Sequence, residues 1–357
     1  MTTILSEAAL ASSEQAETDT ANPGLTNLGE RGKWGGLVLL GRAPTSAGSY
    51  ASNFIEGISG RPYGGSDPAD SSGSLKYVRV WHGGAVIGAD NEINGITFGG
   101  VGSGTVVDHC EVAFNADDGF EFFGGTVNVK YLSVLFGKDD SFDTDEGYQG
   151  KGQFLFTMLG TSGNHGTEMN AHTSTSVDAQ PRSHPSFYSM TVIGGGAAGR
   201  AGGLMNVRGG SGGKFGNVVL AHPNNIGLQL GGTGAKACGG QTFYTTLPAS
   251  SVNIGTGAPG TTSNDGYLYW SPANIIQPGD GITVIKDDCS PTTGFTATDV
   301  DPGFKAVSSS CLDYTCLPNT FDPLPSESGS SCVTPQETVT DSFYTDVQCK
   351  GAFANSD

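Results

Sequence analysis

Asp117-Asp118-Gly119-Phe120-Glu121-Phe122 recurs at a sequence offset of 22 (139 − 117 = 22) as Asp139-Asp140-Ser141-Phe142-Asp143-Thr144, with acidic and aromatic positions in step. A repeat this short matches one coil of a solenoid, in which each turn packs only on its neighbours. The register extends outward. Phe98-Gly99-Gly100 recurs as Phe123-Gly124-Gly125, and Asp108-His109-Cys110-Glu111-Val112 as Lys130-Tyr131-Leu132-Ser133-Val134. Segments 75–81, 127–132 and 187–193 alternate apolar and polar side chains as short strands do. Helical periodicity extends at most to a turn or two within residues 2–16. Val80, Val112, Val134, Val192 and Val219 serve as inward markers at successive offsets of 32, 22, 58 and 27, and the larger gaps hold loops or extra coils.

Glycine, 57 of 357 residues, recurs as pairs after apolar runs and reads as corners between strands. The expected fold is all-β: a single-stranded, right-handed parallel β-helix with an irregular, disulfide-bearing C-terminal region. Residues 1–31 form a polar extension, 32–235 the β-helix, and 236–357 its continuation with long loops and a cysteine-rich end.

A net charge of −18 with only 17 Lys+Arg leaves no basic stripe for phosphates and excludes nucleic acid as a partner, while cations, sugars and proteins remain. Cys110 stands alone in an apolar strand, whereas Cys238, Cys289, Cys311, Cys316, Cys332 and Cys349 crowd the last third. Six cysteines in a loop-rich region predict disulfides and an extracellular or cell-surface setting, with the pairing left open. No membrane span is expected. Residues 1–22 lack the apolar core of a secretory signal, and both ends read as those of a piece of a longer protein.

In a parallel solenoid, equivalent residues of adjacent coils lie about 4.8 Å apart. Phe120 therefore stacks on Phe142 inside, while Asp117 meets Asp139, Asp118 meets Asp140 and Glu121 meets Asp143. Asp90 is expected one coil earlier. Like charges at this distance repel by about 1 kcal/mol per pair in water and by several times that when half buried. Three kinds of relief are open: a bound cation, with calcium suited to carboxylate and backbone oxygens; retained protons, as acid/base catalysis uses; or Asp side chains capping backbone N–H groups at corners. Asp117, Asp118, Asp139 and Asp140 are the candidate metal ligands, and Asp90, Glu121 and Asp143 extend the ligand-binding set.

Trp34-Gly35-Gly36-Leu37-Val38-Leu39-Leu40-Gly41, Asn94-Gly95-Ile96-Thr97-Phe98-Gly99-Gly100-Val101-Gly102-Ser103-Gly104-Thr105 and Asp117 to Gly125 together resemble a family of secreted β-helical surface proteins and lipoproteins of marine bacteria. The resemblance runs from about residue 32 to 157, weakens to about 235, and implies an exported surface protein with no assigned reaction. A second resemblance is to polygalacturonase-type glycosidases, whose N-T-D, D-D, G-H-G and R-I-K signatures have partial counterparts in Asn115-Ala116-Asp117, Asp139-Asp140, Asn164-His165-Gly166 and Asn206-Val207-Arg208. That resemblance implies an inverting hydrolase with Asp140 as acid, Asp117 and Asp139 activating water, and His165 and Arg208 holding substrate.

The sequence favours a non-catalytic adhesion or glycan-binding module, with a polysaccharide or cell-surface glycan as partner and calcium as the candidate ion. A polysaccharide hydrolase or lyase is the alternative. The stretch Thr161 to His184 is expected to be a loop forming the binding rim, with Tyr267-Leu268-Tyr269-Trp270 either stacking on sugars or packing in the core.

Overall fold

The computed structural model describes residues 29–353 except 49, 89–90, 172–178, 233–237, 239–241, 246–266, 290–292, 308–311, 318–319, 335 and 338, together with the strand Thr2–Ile4. Two parallel sheets of twelve and eight strands share one axis, and the chain alternates between them as a parallel β-helix does. In the central coils the first sheet is built from Val106–Ala113, Asn128–Leu135, Lys151–Met158 and Ser186–Ile193. The second contains Ile96–Gly99, Phe120–Phe123, Phe142–Asp145, Thr167–Met169, Gly203–Val207, Ile226–Leu230 and Thr283–Asp287.

The acidic repeat is one coil. Phe120 pairs with Phe142 and Glu121 with Asp143; Asp108, Cys110, Glu111 and Val112 pair with Lys130, Leu132, Ser133 and Val134. Inside, the rings of Phe120 and Phe142 stack 5.6 Å apart and those of Phe98 and Phe122 5.1 Å apart, all fully buried. Burial of such side chains, with about 0.5–1.5 kcal/mol more per stacked pair, fixes which residues face out.

Two expected registers shift. Phe98 pairs with Phe122 instead of Phe123, because Ile96 pairs with Phe120 at an offset of 24 (120 − 96 = 24), one residue less than the 25 (123 − 98 = 25) between the two Phe-Gly-Gly motifs. Leu220, one place beyond Val219, continues the valine row, since Val192 pairs with Leu220 and Val219 with Thr191. The wide gap between Val134 and Val192 hides the coil of Lys151–Met158. Its Thr157 stands between those two valines in the row, fully buried, with its Oγ1 2.6 Å from the Ser141 Oγ. Threonine has the shape of valine but needs a partner for its hydroxyl, and Ser141 supplies one.

Glycine makes only some of the corners. Tyr77, His109, Tyr131, Phe154, Ser189 and Asn217 occupy one position in successive coils, each with φ between 52° and 60°. A left-handed residue there bends the strand at some steric cost. Outward ring stacking offsets part of it: Tyr77, His109, Tyr131 and Phe154 form a column with centroids 4.7, 4.3 and 4.8 Å apart.

Gly119 is required by close approach instead. A Cβ there would lie 2.6 Å from the Ser141 carbonyl oxygen and 2.7 Å from a Val134 methyl. Gly119→Ala is expected to cost about 1–3 kcal/mol, read as a lower urea midpoint at unchanged slope.

Cys238 is bonded to Cys289 and Cys332 to Cys349, while Cys110 is a buried free thiol. The Cys332–Cys349 clasp holds a segment that lies across the first sheet. Lys151 Nζ reaches Asp341 at 2.6 Å, Gln153 exchanges hydrogen bonds with the Thr345 backbone, and Tyr344 OH donates to the Ser186 carbonyl. Leu268, Tyr269 and Trp270 are 1–3% exposed, so these three side chains are core and offer no sugar platform, while the Tyr267 side chain lies outside the described residues. Among the described residues no helix is long and apolar enough to cross a membrane.

Candidate functional site

Outward-facing positions of the second sheet form one column: Thr97, Glu121, Asp143, Glu168, Asn206, Gln229 and Lys286 are neighbours in successive pairings. Inward neighbours such as Phe120, Phe122 and Phe142 are locked in the core, so alternation obliges the residues between them to point out. Three carboxylates in a row result.

The segment before each strand adds a second column. Asp118 and Asp140 do cap backbone: Asp140 N–H donates to Asp118 Oδ1 at 2.9 Å, and His165 N–H donates to Asp140 Oδ1 at 2.7 Å. His165 Nδ1 lies 2.8 Å from the same Asp140 oxygen and 3.5 Å from Glu168 Oε2. Arg208 pairs with Glu168, and its Nε donates to Asn170 Oδ1 at 3.0 Å. Asn94 Nδ2 donates to Glu121.

These columns face a cavity of about 430 Å³ lined by ten carboxyl side chains, from Glu56 and Glu92 to Asp145 and Glu168, against one guanidinium, that of Arg208, and one imidazole, that of His165. Burial, then Asp139, raises the Asp117 carboxyl to about 7, and burial raises Asp145 to about 7. Asp118, Glu121 and Asp143 lie well above the usual carboxylate range, first from burial and then from one another's charge. Asp139 is raised by burial and Asp140, opposed by Arg200. Burial lowers Arg208 although the surrounding carboxylates favour its charge.

Relief is therefore uneven. Asp118 and Asp140 are served by backbone donors and Glu168 by Arg208. Asp143 Oδ1 and Asn94 Oδ1 are buried without any hydrogen-bond partner. Ligand oxygens of Asp117, Asp118 and Asp139 lie within 4.8 Å of one another, as do those of Asp118, Glu121 and Asp143. Such sets fit a hard cation bonded to oxygen at about 2.3–2.6 Å. The oxygen-only donors and the two partnerless oxygens suit calcium, which would sit among Asp117, Asp118, Glu121, Asp139 and Asp143.

Asp117, Asp118, Glu121, Asp139, Asp140, Asp143, His165 and Arg208 all line this cavity. Asp90 lies outside the described residues; Asn94, whose neighbour Gly95 bonds to Asp118, occupies the rung before Asp118. Glu168 escaped sequence reading because its strand is the short Thr167–Met169, inside what reads as a Thr- and His-rich loop. Within that stretch Thr167–Met169 is a rung of the helix, Asn164 and His165 line the cavity and Thr161 is tied to Asp313, while residues 172–178 lie outside the described residues. The loop carrying Ile55 and Glu56 forms another wall, anchored by Tyr63 OH donating to Glu146 Oε2 at 2.5 Å.

Residues 23–260 match the family described as pectate-lyase like beta helix domain, well over half of the chain. No curated protein and no solved structure matches it.

Proposed function

We propose that this chain, which belongs to the pectate-lyase-like β-helix family, is an extracellular glycan-binding module that holds calcium in the acidic cavity and binds an anionic polysaccharide through the ion. The observation that carries this reading is the partnerless Asp143 Oδ1 beside the oxygens of Asp118 and Glu121. A buried oxygen without a donor costs about 1–3 kcal/mol, more when charged, and a cation removes that cost. With ten carboxyl groups around one guanidinium, the metal-free cavity repels a uronate chain once pH rises past about 7 and the Asp117 and Asp145 carboxyls ionise. A resident ion with open positions lowers that repulsion and offers the uronate carboxylate a cation to bind. Disulfides in the C-terminal region support the extracellular setting, and the surface-protein resemblance agrees with it.

Immobilised protein is expected to retain pectate or alginate in calcium and to release it on adding EDTA. Equal retention in both conditions, or none in either, removes the reading.

A second reading has its own support, since Asp117, Asp139, Asp140, His165 and Arg208 meet in one cavity with a carboxyl near 7 among them. Asp140 would then be the acid, Asp117 and Asp139 would activate water, and His165 and Arg208 would position the sugar. The binding reading is preferred because Arg208 is engaged by Glu168, and Asp140 Oδ1 already accepts from the His165 backbone N–H and lies 2.8 Å from His165 Nδ1. Reducing-sugar release from pectin or algal polysaccharides that vanishes in Asp140→Asn would establish the hydrolase instead.

A further inference from the structure

A second cavity of about 430 Å³ lies on the same edge of the solenoid. Asn225 immediately precedes the strand Ile226–Leu230, as Ser141 precedes Phe142–Asp145. Successive pairings place its rung three coils beyond that of Asp140, about 15 Å along the axis at the spacing of parallel strands. The chemistry differs from that of the acidic cavity. The walls include Pro223, Pro278, Ile282 and Val307, and among the described residues no Lys or Arg lines them.

Polar groups converge there in a fixed arrangement. The His222 N–H donates to Gln277 Oε1 at 2.9 Å, and Gln277 Nε2 reaches Asp301 Oδ2 at 3.4 Å, so the amide is held at both ends. Asn224 Nδ2 donates to the Gly199 carbonyl at 2.6 Å, which turns its Oδ1 away from that contact. The exposed Asp280 carboxylate completes the rim.

We propose that this cleft binds an uncharged pyranose unit of a glycan, independently of the cation. An apolar floor with a few oriented polar groups is the form of small-ligand sites. The C–H face of a neutral sugar matches the proline and aliphatic walls, and its hydroxyls match the carboxylate, amide and imidazole groups. Two carboxylates, with no Lys or Arg among the described lining residues, disfavour phosphates and uronates.

The test is saturation-transfer NMR and calorimetry with cellohexaose, mannohexaose and maltohexaose, each in EDTA, on the native chain and on the double variant Asn224→Ala, Asp280→Ala. At least one hexasaccharide is expected to bind saturably without metal and to weaken tenfold or more in the variant, while calcium titration of the variant is unchanged. Absence of saturable binding by all three, or equal binding by the variant, overturns the proposal. Loss of the calcium signal in the native chain would count against the acidic-cavity reading alone. A native-like melting midpoint of the variant excludes misfolding as the cause of lost binding.

Discussion

In EDTA the protein is expected to lose stability as pH rises from about 4 to 8, by several kcal/mol in total, and calcium is expected to restore most of that loss at pH 8. The carboxyls of Asp117 and Asp145 move from an ordinary 3.8 to about 7 on folding, and those of Asp118, Glu121 and Asp143 are raised well above the usual carboxylate range by burial. A carboxyl raised in the folded state keeps its proton where the unfolded chain has released it. Folding then binds protons, so stability is greatest below the unfolded value, near 3.8, and falls as pH climbs through about 7 and beyond. Each unit of difference corresponds to about 1.4 kcal/mol, and solvent entering the cavity reduces the sum. Calcium binds the folded cluster and not the unfolded chain, so its effect on the melting midpoint grows with pH. Urea titrations at pH 5 and pH 8, with calcium and with EDTA, check this. A flat pH profile in EDTA would mean that the carboxyls are not held together as described.

Phe142→Ala is expected to cost about 3–5 kcal/mol, the usual range for a fully buried aromatic. Phe142 stacks on Phe120 at 5.6 Å and sits beside Asp143, whose outward direction depends on the inward anchoring of its neighbours. The cavity left behind would loosen both coils of the acidic repeat, so weaker calcium binding should accompany the fall in urea midpoint. Phe142→Leu, which keeps most of the volume, should cost less than half as much and keep the ion. A Phe142→Ala protein with unchanged midpoint would place that ring outside the core.

The fold was readable where identical chemistry recurs at one spacing. Phe120 and Phe142, Asp118 and Asp140, and Cys110 and Leu132 keep the same faces, so the repeat set the length and vertical register of that coil. Legibility failed where a position kept its geometry and changed its residue. Thr157 stands in a valine row because Ser141 satisfies its hydroxyl, and that compensation comes from outside its own sheet. The corner residues His109, Tyr131 and Phe154 adopt a left-handed backbone that sequence reading assigns to glycine. Their stacking with the coils above and below is a tertiary effect.

The candidate site divides the same way. Asp117, Asp118, Glu121, Asp139, Asp140 and Asp143 were legible from the repeat. Glu168 was not, since it follows Asp143 at an offset of 25 (168 − 143 = 25), outside the spacing of the repeat, and nothing near it reproduces the acidic motif. Its role is visible through Arg208, 40 residues on in the chain (208 − 168 = 40), and through its pairing with Asp143 in the neighbouring coil.

Calorimetric titration of calcium into the chelator-stripped protein at pH 8, repeated with Asp143→Asn, tests most directly whether stacked coils build an ion site. Saturable binding by the native chain at micromolar to millimolar calcium, weakened tenfold or more in a variant of unchanged fold, is the predicted result. No heat of binding in that range, or the same affinity in both proteins, would contradict it.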